Sequence, residues 1–144
     1  MKFQFLLPSL ISFCLLAAPA MAGQLASWNF EQGKNRLDFR TDAAVQPKAV
    51  MLFNPTRLII DLPGINFRGK TVTRKLTGNF RSARVGQVND TTTRIVLEIQ
   101  PGFTLDPKRV KFVGENPAEW YVNLPVPERG TNIPSLPPRP NSPR

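Results

Sequence analysis

The chain has 144 residues, of which 19 are lysine or arginine and 10 are aspartate or glutamate, so its formal net charge is +9. It contains no histidine, and its single cysteine, Cys14, lies in an apolar N-terminal stretch. Zinc hydrolases and Ser-His or Cys-His nucleophilic sites depend on histidine and cysteine. Because the chain has no histidine, and no cysteine after Cys14, its composition excludes these classes of active site. We therefore predict that the chain is not an enzyme, with no catalytic residues, no metal and no cofactor.

Residues 1–22 are predicted to be a secretory signal peptide. Lys2 supplies a positive start, residues 3–18 are almost wholly apolar, and residues 20–22 have the small-x-small pattern of a cleavage site. An uncleaved membrane anchor is the alternative, but the apolar run is short for a bilayer span. We expect cleavage here, a periplasmic location and no membrane attachment afterwards. Because cleavage removes Cys14, the mature chain would contain no disulfide.

The region from residue 23 to residue 127 shows the period-two alternation of β-strands. Leu58, Ile60 and Leu62 form one alternating set, and Ile95, Leu97 and Ile99 form another, with charged residues between them. Turn-forming residues separate the runs, no window is clearly an amphipathic helix, and the stretch after Gly64 is ambiguous. The eight predicted strands begin at Leu25, Arg36, Lys48, Arg57, Ala83, Arg94, Lys108 and Trp120.

The two sets of four strands carry similar motifs. Arg-Leu-x-Phe at Arg36 corresponds to Arg-Ile-x-Leu at Arg94, and a Pro-Lys-x-Val motif occurs at Pro47 and again at Pro107. Repeated motifs at this spacing indicate a duplication, with halves at 24–64 and 82–127. We predict an all-β fold, a pseudo-twofold sandwich of two four-stranded antiparallel sheets with the six alternating residues buried.

Residues 128–144 are predicted to be a proline-rich linker or tail. Seven prolines occur from Pro125 to Arg144, with few apolar residues and no periodicity. Such a segment buries too little apolar surface to offset its ordering entropy. The chain is interpreted either as a fragment or as a natural short form of a larger modular protein.

Three segments resemble the AMIN domain, the non-catalytic N-terminal module of many bacterial N-acetylmuramoyl-L-alanine amidases. They are Asn54–Gly64, Arg81–Val88 and Thr93–Ile99, and residues 45–48 and 104–107 are similar to the cyanobacterial versions. The resemblance implies a duplicated β-sandwich that binds peptidoglycan and places an attached zinc amidase at the division site. Those amidases hold zinc with histidine and glutamate, a ligand set that this chain cannot assemble.

The same domain occurs in type IV pilus secretins, which implies an alternative function as a periplasmic protein–protein docking module. An open sandwich has strand edges that can pair with a partner. Expected partners are therefore peptidoglycan and possibly a downstream zinc amidase domain, or division and pilus proteins of the envelope. Nucleic acid is not expected, because the signal peptide exports the chain and no aromatic platform accompanies the charges.

A basic interval supplies the first candidate binding residues. No acidic residue lies between Asp61 and Asp90, whereas lysine and arginine are frequent there. Arginine binds carboxylates bidentately, and peptide stems of peptidoglycan carry free carboxylates. At period two, Arg84 and Arg81 would point to opposite faces of their strand. A merely solvated face is the alternative. The candidates are Arg57, Arg81, Arg84 and Arg94.

Aromatic and acidic residues also allow two interpretations each. Trp28 and Trp120 could stack on sugar rings as further binding candidates, but large aromatic residues commonly fill small β-sandwich cores. Asp61 and Glu98 could form a glycosidase carboxylate pair. Both occupy polar faces of strands, where the simpler interpretation is a cross-strand ion pair with arginine.

Overall fold

The computed structural model describes residues 22–130, and within them the fold is all-β, as predicted. Twelve strands and one 3-10 turn occur in this part of the chain. The strands are β1 Gly23–Glu31, β2 Arg36–Thr41, β3 Lys48–Leu52, β4 Arg57–Pro63, β5 Ile65–Asn66, β6 Val72–Lys75, β7 Phe80–Asn89, β8 Thr92–Ile99, β9 Phe103–Thr104, β10 Lys111–Asn116, β11 Glu119–Asn123 and β12 Glu128–Arg129. No helix in residues 22–130 is both long enough and apolar enough to cross a membrane.

The predictions for the two chain ends lie largely outside the described residues. Of the predicted signal peptide, only Ala22 is described. Of the predicted tail, residues 128–130 are described, and Glu128–Arg129 form β12, which pairs with β9. The signal peptide and the tail therefore stay predictions.

Two large sheets make up the sandwich. Sheet I has the strand order β10-β11-β2-β1-β5, and sheet II has the order β3-β4-β8-β7-β6. The predicted number of four strands per sheet is wrong, because the short strands β5 and β6 each extend one edge. All four residues of β6 are exposed, so Val72–Lys75 has no apolar alternation from which a strand could be predicted.

The strand order agrees with the duplication. Hairpin β1–β2 of the first half lies in sheet I and β3–β4 in sheet II, whereas β7–β8 of the second half lies in sheet II and β10–β11 in sheet I. When the short edge strands β5 and β6 are left out, exchanging the two halves converts the strand order of sheet I into that of sheet II. The central pairs, β11 with β2 and β4 with β8, each join the two halves, so neither half completes a sheet alone.

Five of the eight predicted strand starts differ from the structure, and two of them differ by three residues. The strand expected from Ala83 begins at Phe80. The strand expected from Lys108 begins at Lys111, because Pro107–Arg109 form a 3-10 turn. The Asp106 carboxylate caps this turn by accepting a hydrogen bond from the Lys108 backbone N–H at 3.0 Å.

The core lies between the two large sheets. All six residues predicted to be buried are at most 3% exposed. Phe30 of sheet I and Phe80 of sheet II meet in the core with ring centroids 4.9 Å apart. Buried Thr93 donates a hydrogen bond to the Ile65 carbonyl at 2.7 Å. No buried side-chain polar atom within residues 22–130 lacks a hydrogen-bond partner. The sheets therefore pack without the free-energy cost of burying an unpaired polar group.

Candidate binding face

The outer face of sheet II is set by the alternation that fills the core. In β4, Leu58, Ile60 and Leu62 are buried, so the residues between them point outward. Antiparallel register then assigns the face of the neighbouring strands, because directly opposed residues share a side of the sheet. Arg57 lies opposite Glu98, and Asp61 lies opposite Arg94.

Positive charge dominates this outer face, which we call the basic face. The register places Arg94 opposite Gly86, and Arg84 opposite both Val96 and Thr73. Among the described residues, Asp61 and Glu98 are the carboxylates on these outward positions. The cations of the basic face are Lys48, Arg57, Lys75, Arg81, Arg84 and Arg94.

Arg81 shows why a strict period of two fails on β7. Phe80 lies opposite Ile99 and Ser82 lies opposite Glu98, so Arg81 is the extra residue of a β-bulge. Its guanidinium Nη1 lies 3.4 Å from Oε2 of Glu98, which points outward. The prediction that Arg81 faces away from Arg84 is therefore wrong, because the bulge turns Arg81 onto the basic face.

Arg94 and Asp61 form the best-defined ion pair of the basic face. The Arg94 Nε and Nη2 groups donate to the two carboxylate oxygens of Asp61 at 2.7 and 3.0 Å. The hydrogen bond to Asp61 raises the pKa of Arg94, and the negative charge of Asp61 adds to that rise while partial burial opposes it. The predicted cross-strand ion pairs are confirmed for both Asp61 and Glu98. These two carboxylates therefore hold arginines in place.

Arg84 and Arg94 border a shallow hollow of about 160 Å³. Thr71 lies over Gly86, where a Cβ atom would come within 2.5 Å of the threonine Oγ1. A glycine is needed at this position for Thr71 to lie there. Arg84 makes no ion pair with another described residue, so its guanidinium remains free for an external anion. The hollow thus combines one fixed arginine with one free arginine.

The predicted tryptophans lie away from these arginines. Trp28 and Trp120 flank Phe39 on sheet I and pack against the core. The Arg74 guanidinium lies 4.4 Å from the ring centroid of Trp28, covering that ring. The Trp120 ring lies 3.1 Å from the position of a Gly114 Cβ, and its Nε1 donates to a backbone carbonyl at 3.1 Å. Sugar stacking on either ring stays a prediction, separate from the basic face.

The outer face of sheet I has a more balanced charge. Arg36 pairs with Asp38 at 3.1 Å, and its guanidinium lies 4.8 Å from the Tyr121 ring centroid. A hollow of about 220 Å³ on this sheet is bordered by Trp28 and Trp120 and by Arg40 with three acidic residues. The contrast between the two outer faces makes sheet II the better candidate for binding an anionic polymer.

Two cations of the basic face, Lys48 and Lys75, are not among the four arginine candidates, although Lys75 lies in the basic interval between Asp61 and Asp90. Lys48 could have been found by applying the strand period, since it precedes exposed Val50 by two positions. The face on which Lys75 lies could not be predicted, because nothing in the sequence identified β6 as a strand. Residues 22–130 contain no cluster of three or more histidine, cysteine, aspartate or glutamate side chains placed to hold a metal.

The fold is a small β-sandwich with one strongly basic outer face. The chain belongs to the AMIN domain family, whose model matches residues 24–124. No curated protein matches the chain significantly. AMIN domains are non-catalytic modules of amidases and secretins that bind peptidoglycan and serve in targeting. They occur in periplasmic or secreted proteins.

Proposed function

We propose that this chain is a non-catalytic module that binds peptidoglycan through its basic face and targets a cell-wall amidase to the septum. It acts in the periplasm, after removal of residues 1–22. The observation that carries the proposal is the convergence of Arg57, Arg81, Arg84 and Arg94 from three strands onto one outer face.

The chemistry of the basic face suits an anionic polymer. Arginine binds carboxylates with two parallel hydrogen bonds, and a wall polymer presents carboxylates repeatedly. Each exposed contact contributes on the order of 1 kcal/mol or less, so one arginine alone holds the polymer weakly. Several contacts on one rigid sheet add their effects and give useful affinity through multivalency.

Co-sedimentation with purified, protein-free peptidoglycan sacculi tests this function. We expect the mature chain to sediment with sacculi at low salt and to be released as salt rises. The physical reason is screening, since the Debye length falls from about 10 Å at 0.1 M to about 3 Å at 1 M salt. A chain that stays in the supernatant at low salt would contradict wall binding. Sedimentation that is independent of salt would contradict the role of the basic face.

The purified mature chain should release no peptide from sacculi, with or without added zinc. The chain has no histidine, and its one cysteine is removed with the signal peptide, so histidine and thiolate zinc ligands are missing. Chromatography of the soluble products measures this directly, with a zinc amidase as the positive control. Zinc-dependent release of peptide by this chain would overturn the proposal.

A second candidate function is protein docking in a secretin-like assembly. Strand β3 is an edge of sheet II, and its outward residues Val50 and Leu52 are 56% and 39% exposed. An exposed apolar edge strand can pair with a strand of a partner. Failure to bind protein-free sacculi, together with capture of a purified pilus protein that Val50→Lys abolishes, would favour this function.

A further inference from the structure

Besides the hollow between Arg84 and Arg94, the basic face has another hollow, of about 330 Å³, beside Arg81. Its other walls come from Asn54, Pro55 and Thr56 on one side and from Pro101–Phe103 on the other. It combines apolar walls with a single cation, and it differs from the hollow between Arg84 and Arg94, which two arginines border.

Hydrogen bonds fix the walls of this hollow. The Thr56 hydroxyl donates to the Thr104 hydroxyl at 3.0 Å, and the Thr56 carbonyl accepts from the Ile99 N–H at 2.9 Å. Phe103 pairs with Arg129, whose guanidinium lies 5.4 Å from the phenylalanine ring centroid. A site whose walls are already ordered loses little conformational entropy when a ligand binds.

Arg81 supplies the recognition of charge. Its side chain is 54% exposed, and the 3.4 Å contact with Glu98 is its only ion pair within residues 22–130. Most of its five N–H donors therefore remain available to a ligand. Glu98 would by itself repel an anion, but Arg57 lies directly opposite Glu98 on β4. The two arginines outweigh the one carboxylate, so the local charge favours an anionic group.

We infer that this hollow binds the free carboxylate end of a short peptide with small apolar side chains, an inference that rests on the proposed function. Pro55, Pro101 and Phe103 supply apolar wall surface that suits a methyl group, and Arg81 supplies the charged donors that suit a carboxylate. A volume of about 330 Å³ accommodates roughly a dipeptide. The peptide stems of the wall polymer have this chemistry. The hollow would therefore bind the ends of these stems, while the rest of the basic face attracts the polymer.

The test is a nuclear magnetic resonance titration of the ¹⁵N-labelled mature chain with N-acetyl-D-alanyl-D-alanine. We expect saturable shifts of the Thr56, Gly102 and Phe103 amides. The matching carboxamide, which lacks the charge, should bind about fivefold more weakly, and so should the Arg81→Gln variant with the free acid. Arg40→Gln, an exposed change on sheet I, should bind as the wild type does.

Three results would overturn the inference: no saturable shift at these amides, equal binding of the carboxamide, or unchanged binding by folded Arg81→Gln. The carboxamide comparison uses the wild-type chain, so it decides the matter even if the variant fails to fold. Sacculus co-sedimentation separates this inference from the proposed function. A chain that binds sacculi but not the peptide loses only the inference, whereas one that binds neither loses both.

Discussion

Arg81→Glu/Arg84→Glu should lose nearly all co-sedimentation with sacculi while remaining folded. Both residues are exposed on the basic face, and Arg84 makes no ion pair with a described residue. Reversing two charges removes two contacts and adds repulsion of the polymer carboxylates. Because each contact contributes on the order of 1 kcal/mol, the combined loss in affinity should be at least about tenfold.

The measurement is the bound fraction at low salt, with circular dichroism to verify the fold. Arg81→Glu places a carboxylate near Glu98, so a small loss of stability is expected as well. A folded double variant that sediments as well as the wild type would show that the basic face only faces solvent and does not bind the polymer. Recognition would then have to lie elsewhere, with Trp28, Trp120 or the edge strand β3 as the remaining candidates.

Leu97→Ala should lower the free energy of unfolding by about 2–5 kcal/mol, the usual cost of removing a buried leucine. Leu97 is fully buried in β8, where it lies opposite Leu58 of one half and Ala83 of the other. The neighbouring strands are held on both sides, so they cannot collapse into the cavity. For a domain of this size the melting temperature should fall by more than about 10 °C.

Thermal unfolding followed by circular dichroism measures this effect. Val50→Ala is the matched control, since Val50 is 56% exposed and its loss should change the stability by less than about 0.5 kcal/mol. The wild type should unfold in one transition, because the central strand pairs of both sheets join the two halves. Equal effects of the two variants, or two separate transitions, would contradict the interlocked packing.

Most of the fold was predictable because its signals are local. Alternating apolar residues in β4 and β8 determine which side of each strand is buried, and all six proved to be core residues. The duplicated motifs predicted two equivalent sets of strands, which the strand order confirms. The ion pairs of Asp61 and Glu98 followed from the polar face of the same alternation.

The rest depended on features that the sequence pattern does not carry. A β-bulge inserts one residue and reverses the expected face, which is why a strict period of two predicts the wrong face for Arg81. Strand β6 has no apolar alternation, and it forms by pairing with β7. The contact between Arg74 and Trp28 joins two different sheets, so it depends on how the sheets pack rather than on either strand alone.

We propose that one face of sheet II, rather than positive charge in general, binds peptidoglycan. Sacculus co-sedimentation of two double variants with the same change in charge distinguishes these two explanations. Arg40→Glu/Lys111→Glu reverses two exposed cations on the outer face of sheet I, opposite in the sandwich to Arg81 and Arg84. We predict that the sheet I variant binds nearly as well as the wild type, whereas Arg81→Glu/Arg84→Glu binds at least about tenfold more weakly. Equal losses in the two folded variants would contradict the claim, because they would show that only the net charge matters.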